Sequence, residues 1–136
     1  MLTDSLNVRN SLGWGLRKPG IIIPRIAADA EISRFWMNVE DNSPNINLAA
    51  DEEGVIDHGA GTITVWYPMG SDLSEVIFRW EVPSHYGVPY IITVGGVLRY
   101  NGQSKFNFGT TNPQTFIVGQ KPGTTNFKEY VVTMVN

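Results

Sequence analysis

Two stretches of the chain alternate strictly between apolar and polar positions. Residues 62–67 place Ile63, Val65 and Tyr67 on one side and Thr62, Thr64 and Trp66 on the other. Residues 75–82 repeat the pattern, with Val76, Phe78, Trp80 and Val82 against Glu75, Ile77, Arg79 and Glu81. A period of two marks a strand with one buried face, so the first set of each pair is expected in a core and the second outside it. The link Met69-Gly70-Ser71-Asp72 is compatible with a hairpin joining the two. Residues 32–40 alternate in the same way, with Phe35, Met37 and Val39 inward and Arg34, Trp36, Asn38 and Glu40 outward. In residues 127–135, Lys128, Tyr130, Val132 and Met134 share one face.

Shorter strands are expected over 45–49, 55–56, 104–108 and 114–118, and over 21–26, where Pro24 demotes the strand to an edge or bulge. Residues 89–100 read as one long strand in which Gly95-Gly96 marks a bulge or a corner between sheets. Asn101-Gly102 and the DNSPN run at 41–45 read as turns. Even one helical turn finds a place only at 12–16 and 27–31. The sum is an all-β chain: one domain over 20–136, a β-sandwich or jelly roll of about eight strands, with a closed barrel as the alternative. Residues 1–19 show no period and form an extended N-terminal arm. Trp14, set between Gly13 and Gly15, is either an anchor into another surface or a ring that folds back onto its own domain.

Composition narrows the chemistry. The 136 residues suffice for one domain with a real core. Only 17% are charged, against about 25% in an ordinary globular protein, so amides and hydroxyls make up much of the polar surface. Cysteine is absent, which removes disulfides, thiolate nucleophiles and Cys-based metal sites. No apolar run approaches the length of a membrane span, and the first residues lack the basic and apolar regions of a secretory signal. Charge is distributed unevenly: residues 35–78 hold eight acidic groups and no Lys or Arg, between flanks of net +2 and +3. With no Lys/Arg cluster, nucleic-acid binding is not expected. The acidic block either faces a partner or is neutralised by the flanks once folded.

Candidate chemistry is sparse. The segment DEEGVIDHG, residues 51–59, gathers Asp51, Glu52, Glu53, Asp57 and His58, but its spacing matches no calcium loop, and a transition metal would need His85 as second imidazole. An acidic connection entering the next strand is the expected reading, with no metal and no cofactor. No nucleophile, phosphate-loop or zinc-protease motif appears, so a catalytic site is not expected. Trp66, His85, Tyr86 and Tyr90 offer stacking surfaces for a sugar ring, or else belong to the core and sheet end. Trp36 and Trp66, on the faces opposite the core, together with Trp14, are the candidate partner-binding residues.

The stretch GQSKFNFGTTNPQTFIVG, in a short cysteine-free β chain with Gly/Asn/Thr-rich loops and an arm, resembles phage head-decoration and fibre-tip proteins. The resemblance implies a non-enzymatic virion protein, a homo-oligomer and often a trimer, docked on a capsid or tail beside other virion proteins. A carbohydrate-binding module is the alternative expectation, and a small metal-dependent enzyme the third.

Overall fold

The computed structural model describes residues 30–83, 89–120 and 127–136. The arm over 1–19, the strand expected over 21–26, and Trp14, His85 and Tyr86 lie outside the described residues. Eleven strands are seen among those described. They are β1 (Arg34–Met37), β2 (Glu52–Glu53), β3 (Val55–Asp57), β4 (Thr62–Trp66), β5 (Val76–Ile77) and β6 (Arg79–Glu81), then β7 (Ile91–Val94), β8 (Val97–Arg99), β9 (Lys105–Phe106), β10 (Gln114–Gly119) and β11 (Phe127–Val135). A single helical turn, α1 (Val39–Asn42), follows β1.

The all-β expectation holds. The strands form a six-stranded sheet in the order β3-β4-β11-β10-β7-β8, a three-stranded sheet β2-β1-β6, and the two-stranded pair β9-β5. Neighbours are antiparallel except β4 and β11, which run parallel with Ile63 opposite Val132 and Val65 opposite Met134. Those four side chains are buried, so the pairing joins the inward halves of two alternating strands 60-odd positions apart in the chain.

The sheets share one aromatic core. Phe116, on β10 of the large sheet, has its ring centroid 5.6 Å from that of Phe35 on β1 and 6.3 Å from that of Trp80 on β6, both edge-on. Phe106 on β9 lies 5.0 Å away and Phe78 6.2 Å away. Fully burying side chains of this size contributes about 1.5–3 kcal/mol each, and the edge-to-face geometry suits the ring quadrupoles. Phe35, Phe78, Trp80 and Val76 all sit where their alternation puts them.

Three expectations are corrected. Residues 69–72 do not close a hairpin: β4 pairs with β3 and β11, whereas β5 pairs with β9 and β6 with β1. The link instead carries the chain from the large sheet to the smaller ones. Gly95-Gly96 is neither bulge nor sheet-changing corner. Both residues have positive φ, 60° and 78°, and they turn β7 back onto β8 with Val94 opposite Val97, as a two-residue hairpin requires. Finally, the strand expected to run to Glu40 stops at Met37. The Val39 N–H donates to Asp51 Oδ1 at 2.9 Å, which opens α1 where a strand and a turn were expected.

The true corner between sheets is Gly54. It separates β2, paired with β1 in the small sheet, from β3, paired with β4 in the large one. Its N–H donates to Phe35 O at 2.7 Å. A Cβ here would meet Ile63 Cγ2 and Phe35 O at 3.0 Å and Val65 Cγ2 at 3.2 Å, so the close approach of the two sheets requires glycine.

Short strands leave backbone groups without a ladder, and three asparagines supply one. The Asn42 amide donates to Ile77 O and accepts from Ile77 N, at 3.0 and 2.9 Å. Asn101 does the same for Trp80, both at 2.9 Å. Asn112 does it for Met134, at 2.8 and 3.1 Å. Each side chain stands in for a missing strand residue and satisfies polar groups that would be costly to leave unpaired.

Candidate functional site: two unlike outer faces

The two main sheets turn very different surfaces outward. On the small sheet, Arg34, Trp36, Arg79, Glu53 and Glu81 share the outer face by register. Arg34 lies over the Trp36 ring, 3.8 Å from its centroid, and its guanidinium binds the Glu53 carboxylate through Nε at 3.0 Å and through Nη2. The Trp36 indole N–H donates to Asn38 Oδ1 at 2.8 Å. Arg79 grips Asp41 with a two-pronged fork, Nε to Oδ2 at 2.7 Å and Nη2 to Oδ1 at 3.0 Å. These carboxylates hold both guanidinium groups above their ordinary pKa, Glu53 for Arg34 and Asp41 for Arg79, chiefly by hydrogen bonding to the charged form. Lys105 also pairs with Glu75 at 3.6 Å. Three of the eight acidic groups in the 35–78 block, Asp41, Glu53 and Glu75, are thus met by basic residues from its flanks.

Among the described residues, the outer face of the six-stranded sheet is mostly apolar. By register it carries Val55, Thr64 and Trp66 on β3 and β4, and Phe127, Val131, Thr133 and Val135 on β11. Thr115 and Ile117 follow on β10, with Ile91 and Thr93 on β7 and Leu98 on β8. Val55 is 58% exposed, Trp66 44% and Phe127 39%. Val131, Val135, Ile117, Ile91 and Leu98 are half-buried. Of the side chains that the register places on this face, only Asp57 and Glu129 are charged, and both lie towards one end. A sheet face of valine, isoleucine, threonine and tryptophan is what a core presents before its second layer is added.

The residues singled out from sequence do not converge. Trp36 and Trp66 both point outward as their alternation predicts, but on the outer faces of different sheets. Trp36 is already covered by Arg34. Tyr90 is buried in the core, on the opposite side of the large sheet from Trp66 and three strands away, so the two rings form no common platform for a sugar.

The DEEGVIDHG groups are likewise dispersed. Asp51 serves α1, Glu53 serves Arg34, and Asp57 Oδ1 accepts the Ala60 N–H at 3.0 Å. Among the described residues no three His, Asp or Glu side chains come together as a metal site. His58 is exposed, but its Nδ1 lies 2.9 Å from the Tyr130 hydroxyl, which also accepts the Ile32 N–H at 3.2 Å. Burial pushes the Tyr130 pKa up to about 12, so the phenol keeps its proton at neutral pH. Sequence reasoning did not foresee this pairing, because it joins residues 72 positions apart.

The fold and its surfaces define an all-β domain with one face sealed by ion pairs and one left apolar. No helix among the described residues is long and apolar enough to cross a membrane. No family model and no curated protein matches the sequence. Among solved structures, a DUF4623 family protein from Bacteroides eggerthii is similar over 76% of this chain, at 16% identity and a TM-score of 0.46. This chain spans only 20% of that protein's length.

Proposed function

We propose that the protein is a non-enzymatic structural component that assembles with further copies of itself through the outer face of its six-stranded sheet. The observation that carries this reading is the contrast between the faces. Where the small sheet spends its arginines on Glu53 and Asp41, the large sheet exposes Val55, Trp66 and Phe127 with only two carboxylates at one end. A second layer of the same chemistry suits that surface, and a second copy supplies it. The non-enzymatic reading is supported by the dispersal of the candidate groups, each engaged in holding local structure. The setting is a phage capsid or tail, as a symmetric homo-oligomer with a trimer favoured; that part rests on the resemblance of the loop-rich 102–119 stretch to decoration and fibre-tip proteins. The arm over 1–19, with Trp14, would extend the same contacts.

The test is size-exclusion chromatography with light scattering over a concentration series. The full chain should elute as a defined oligomer. Val131→Glu, which sets a charge in the middle of the outer face, should elute as a monomer with unchanged circular dichroism. A wild-type monomer at every concentration, or a Val131→Glu protein that assembles normally, refutes the reading. Removal of residues 1–19 shows separately whether the arm contributes.

A further inference from the structure

A cleft of about 570 Å³ opens at the far edge of the large sheet, between the β7–β8 hairpin and the loop that leads from β9 to β10. Its volume is in the range that holds a small organic ligand. Arg99 on β8 is the single charged residue of its lining. Register places Arg99 beside Ile92, on the core side of the sheet, and its guanidinium carbon lies 5.0 Å from the centre of the Phe106 ring. Its Nε is buried and has no hydrogen-bond partner, unlike Arg34 and Arg79, whose Nε atoms both meet a carboxylate. The ring face offsets part of the desolvation of this cation, but a buried guanidinium nitrogen without an acceptor leaves charge and donor uncompensated.

The opposite wall is built in advance. Asn107 Oδ1 accepts the N–H groups of Gly109 and Thr110, at 3.0 and 3.2 Å. Gln114 Nε2 donates to the carbonyls of Asn107 and Thr111, at 2.9 and 3.1 Å. Asn112 ties the loop to Met134. These bonds fix the loop without using the hydroxyls of Thr110, Thr111 and Thr115, which line the cleft alongside the apolar Pro113 and Val97. One cation, several hydroxyls and a small apolar surface match a compound with one acid group, several hydroxyls and a flat apolar face.

We infer that this cleft binds a carboxylate-bearing saccharide, with the acid group on Arg99, ring hydroxyls on the threonines and one ring face against Pro113 and Val97. The guanidinium offers a planar fork to a carboxylate, and pairing would draw Nε from its unsatisfied position. The Arg99 anchor lies on the core side of the sheet, away from the outer face, although Thr115 of the lining is on that outer face.

The experiment is isothermal titration of the full chain with galacturonate, glucuronate and N-acetylneuraminate, with galactose and inorganic phosphate as separate arms. Wild type should bind at least one of the three acids, and galactose at least tenfold more weakly. Arg99→Met keeps an apolar stem over Phe106 and deletes the unpaired donor. It should melt at or above the wild-type temperature yet bind the acid at least tenfold more weakly, and Arg99→Lys, which keeps the charge without the fork, should fall between. The inference is overturned if none of the acids binds, if galactose matches them, or if Arg99→Met binds as wild type does. Phosphate binding as tightly as the best sugar acid would reduce the site to a simple anion hole and overturn the saccharide assignment.

Discussion

Replacing Gly54 with alanine tests whether the corner between the sheets is as tight as its geometry states. Gly54 does not have a positive φ, so alanine meets no backbone penalty there. By unfolded-state entropy alone the substitution would stabilise by about 0.4–1 kcal/mol. Space decides otherwise. The new methyl would lie 3.0 Å from Ile63 Cγ2 and from Phe35 O, and 3.2 Å from Val65 Cγ2, where carbon atoms prefer about 3.5–4.0 Å. The carbonyl belongs to β1 and the two methyls to the buried side of β4, so relief requires the sheets to separate. It would also stretch the 2.7 Å bond from Gly54 N to Phe35 O. Overpacking of this kind costs roughly 1–3 kcal/mol, which leaves a net loss of about 1–2 kcal/mol once the entropic gain is subtracted. For a 136-residue chain the unfolding entropy is roughly 0.3 kcal/mol/K, so the melting temperature should fall by about 3–7 °C. Urea unfolding should show a lower midpoint at unchanged slope. The control is Gly59→Ala, where the nearest atom to the added carbon is Asp57 Oδ1 at 3.5 Å, and it should be neutral or slightly stabilising. A Gly54→Ala protein as stable as wild type would refute the reasoning, since the corner would then have room it does not show.

Other outcomes follow from the same contacts. Asn42→Ala strips the partners from both Ile77 backbone groups and should cost about 2–3 kcal/mol in urea unfolding, because two groups in a part-buried setting lose their bonds. Phe116→Ala removes the ring that joins the sheets and should cost about 3–5 kcal/mol, with loss of near-ultraviolet circular dichroism from the aromatic core; a loss below about 1 kcal/mol would mean that the sheets do not depend on this ring. The neutral Tyr130 phenol is favoured in the fold, with its pKa raised from 10.0 to about 12. Its stabilising contribution is therefore complete below pH 10 and is lost as the pH rises from there through about 12. Spectrophotometric titration should show one tyrosine ionising last, absent in Tyr130→Phe, whose stability should fall less steeply over that window.

Some of this was legible in the sequence. The strands over 62–67 and 75–82 stood out because one side of each is uniformly apolar, and the same alternation correctly sent Trp36 and Trp66 outward. What alternation does not encode is partnership. β4 was expected beside the next strand in the chain, but its inward Ile63 and Val65 found Val132 and Met134 instead. The glycine pair at 95–96 was ambiguous for a related reason: only a positive φ at both positions separates a tight turn from a bulge, and composition does not report φ. The DEEGVIDHG segment was expected to be an acidic connection, and its groups disperse because a strand sends alternate side chains to opposite faces and Gly54 then changes the sheet. Arg99 gave no signal at all, being one cation among apolar strand residues, and its surroundings come from a loop that pairs elsewhere.

The asparagine clamps have a consequence for how the protein ages. At Ile77, Trp80 and Met134 a side-chain amide donates to a carbonyl and accepts from the N–H of the same residue. Hydrolysis of that amide to a carboxylate would exchange the donor for a second acceptor and set a negative charge against the carbonyl oxygen. Asn101 is the most exposed of the three by sequence, because Gly102 follows it and has no side chain to shield its backbone nitrogen. That nitrogen, however, is committed to Phe78 O at 3.0 Å, and the Asn101 amide is committed to Trp80. At Asn101 the bonds that make the amide useful also hold it away from the neighbouring nitrogen that would consume it, while Asn112 precedes Pro113, whose nitrogen has no proton to give up.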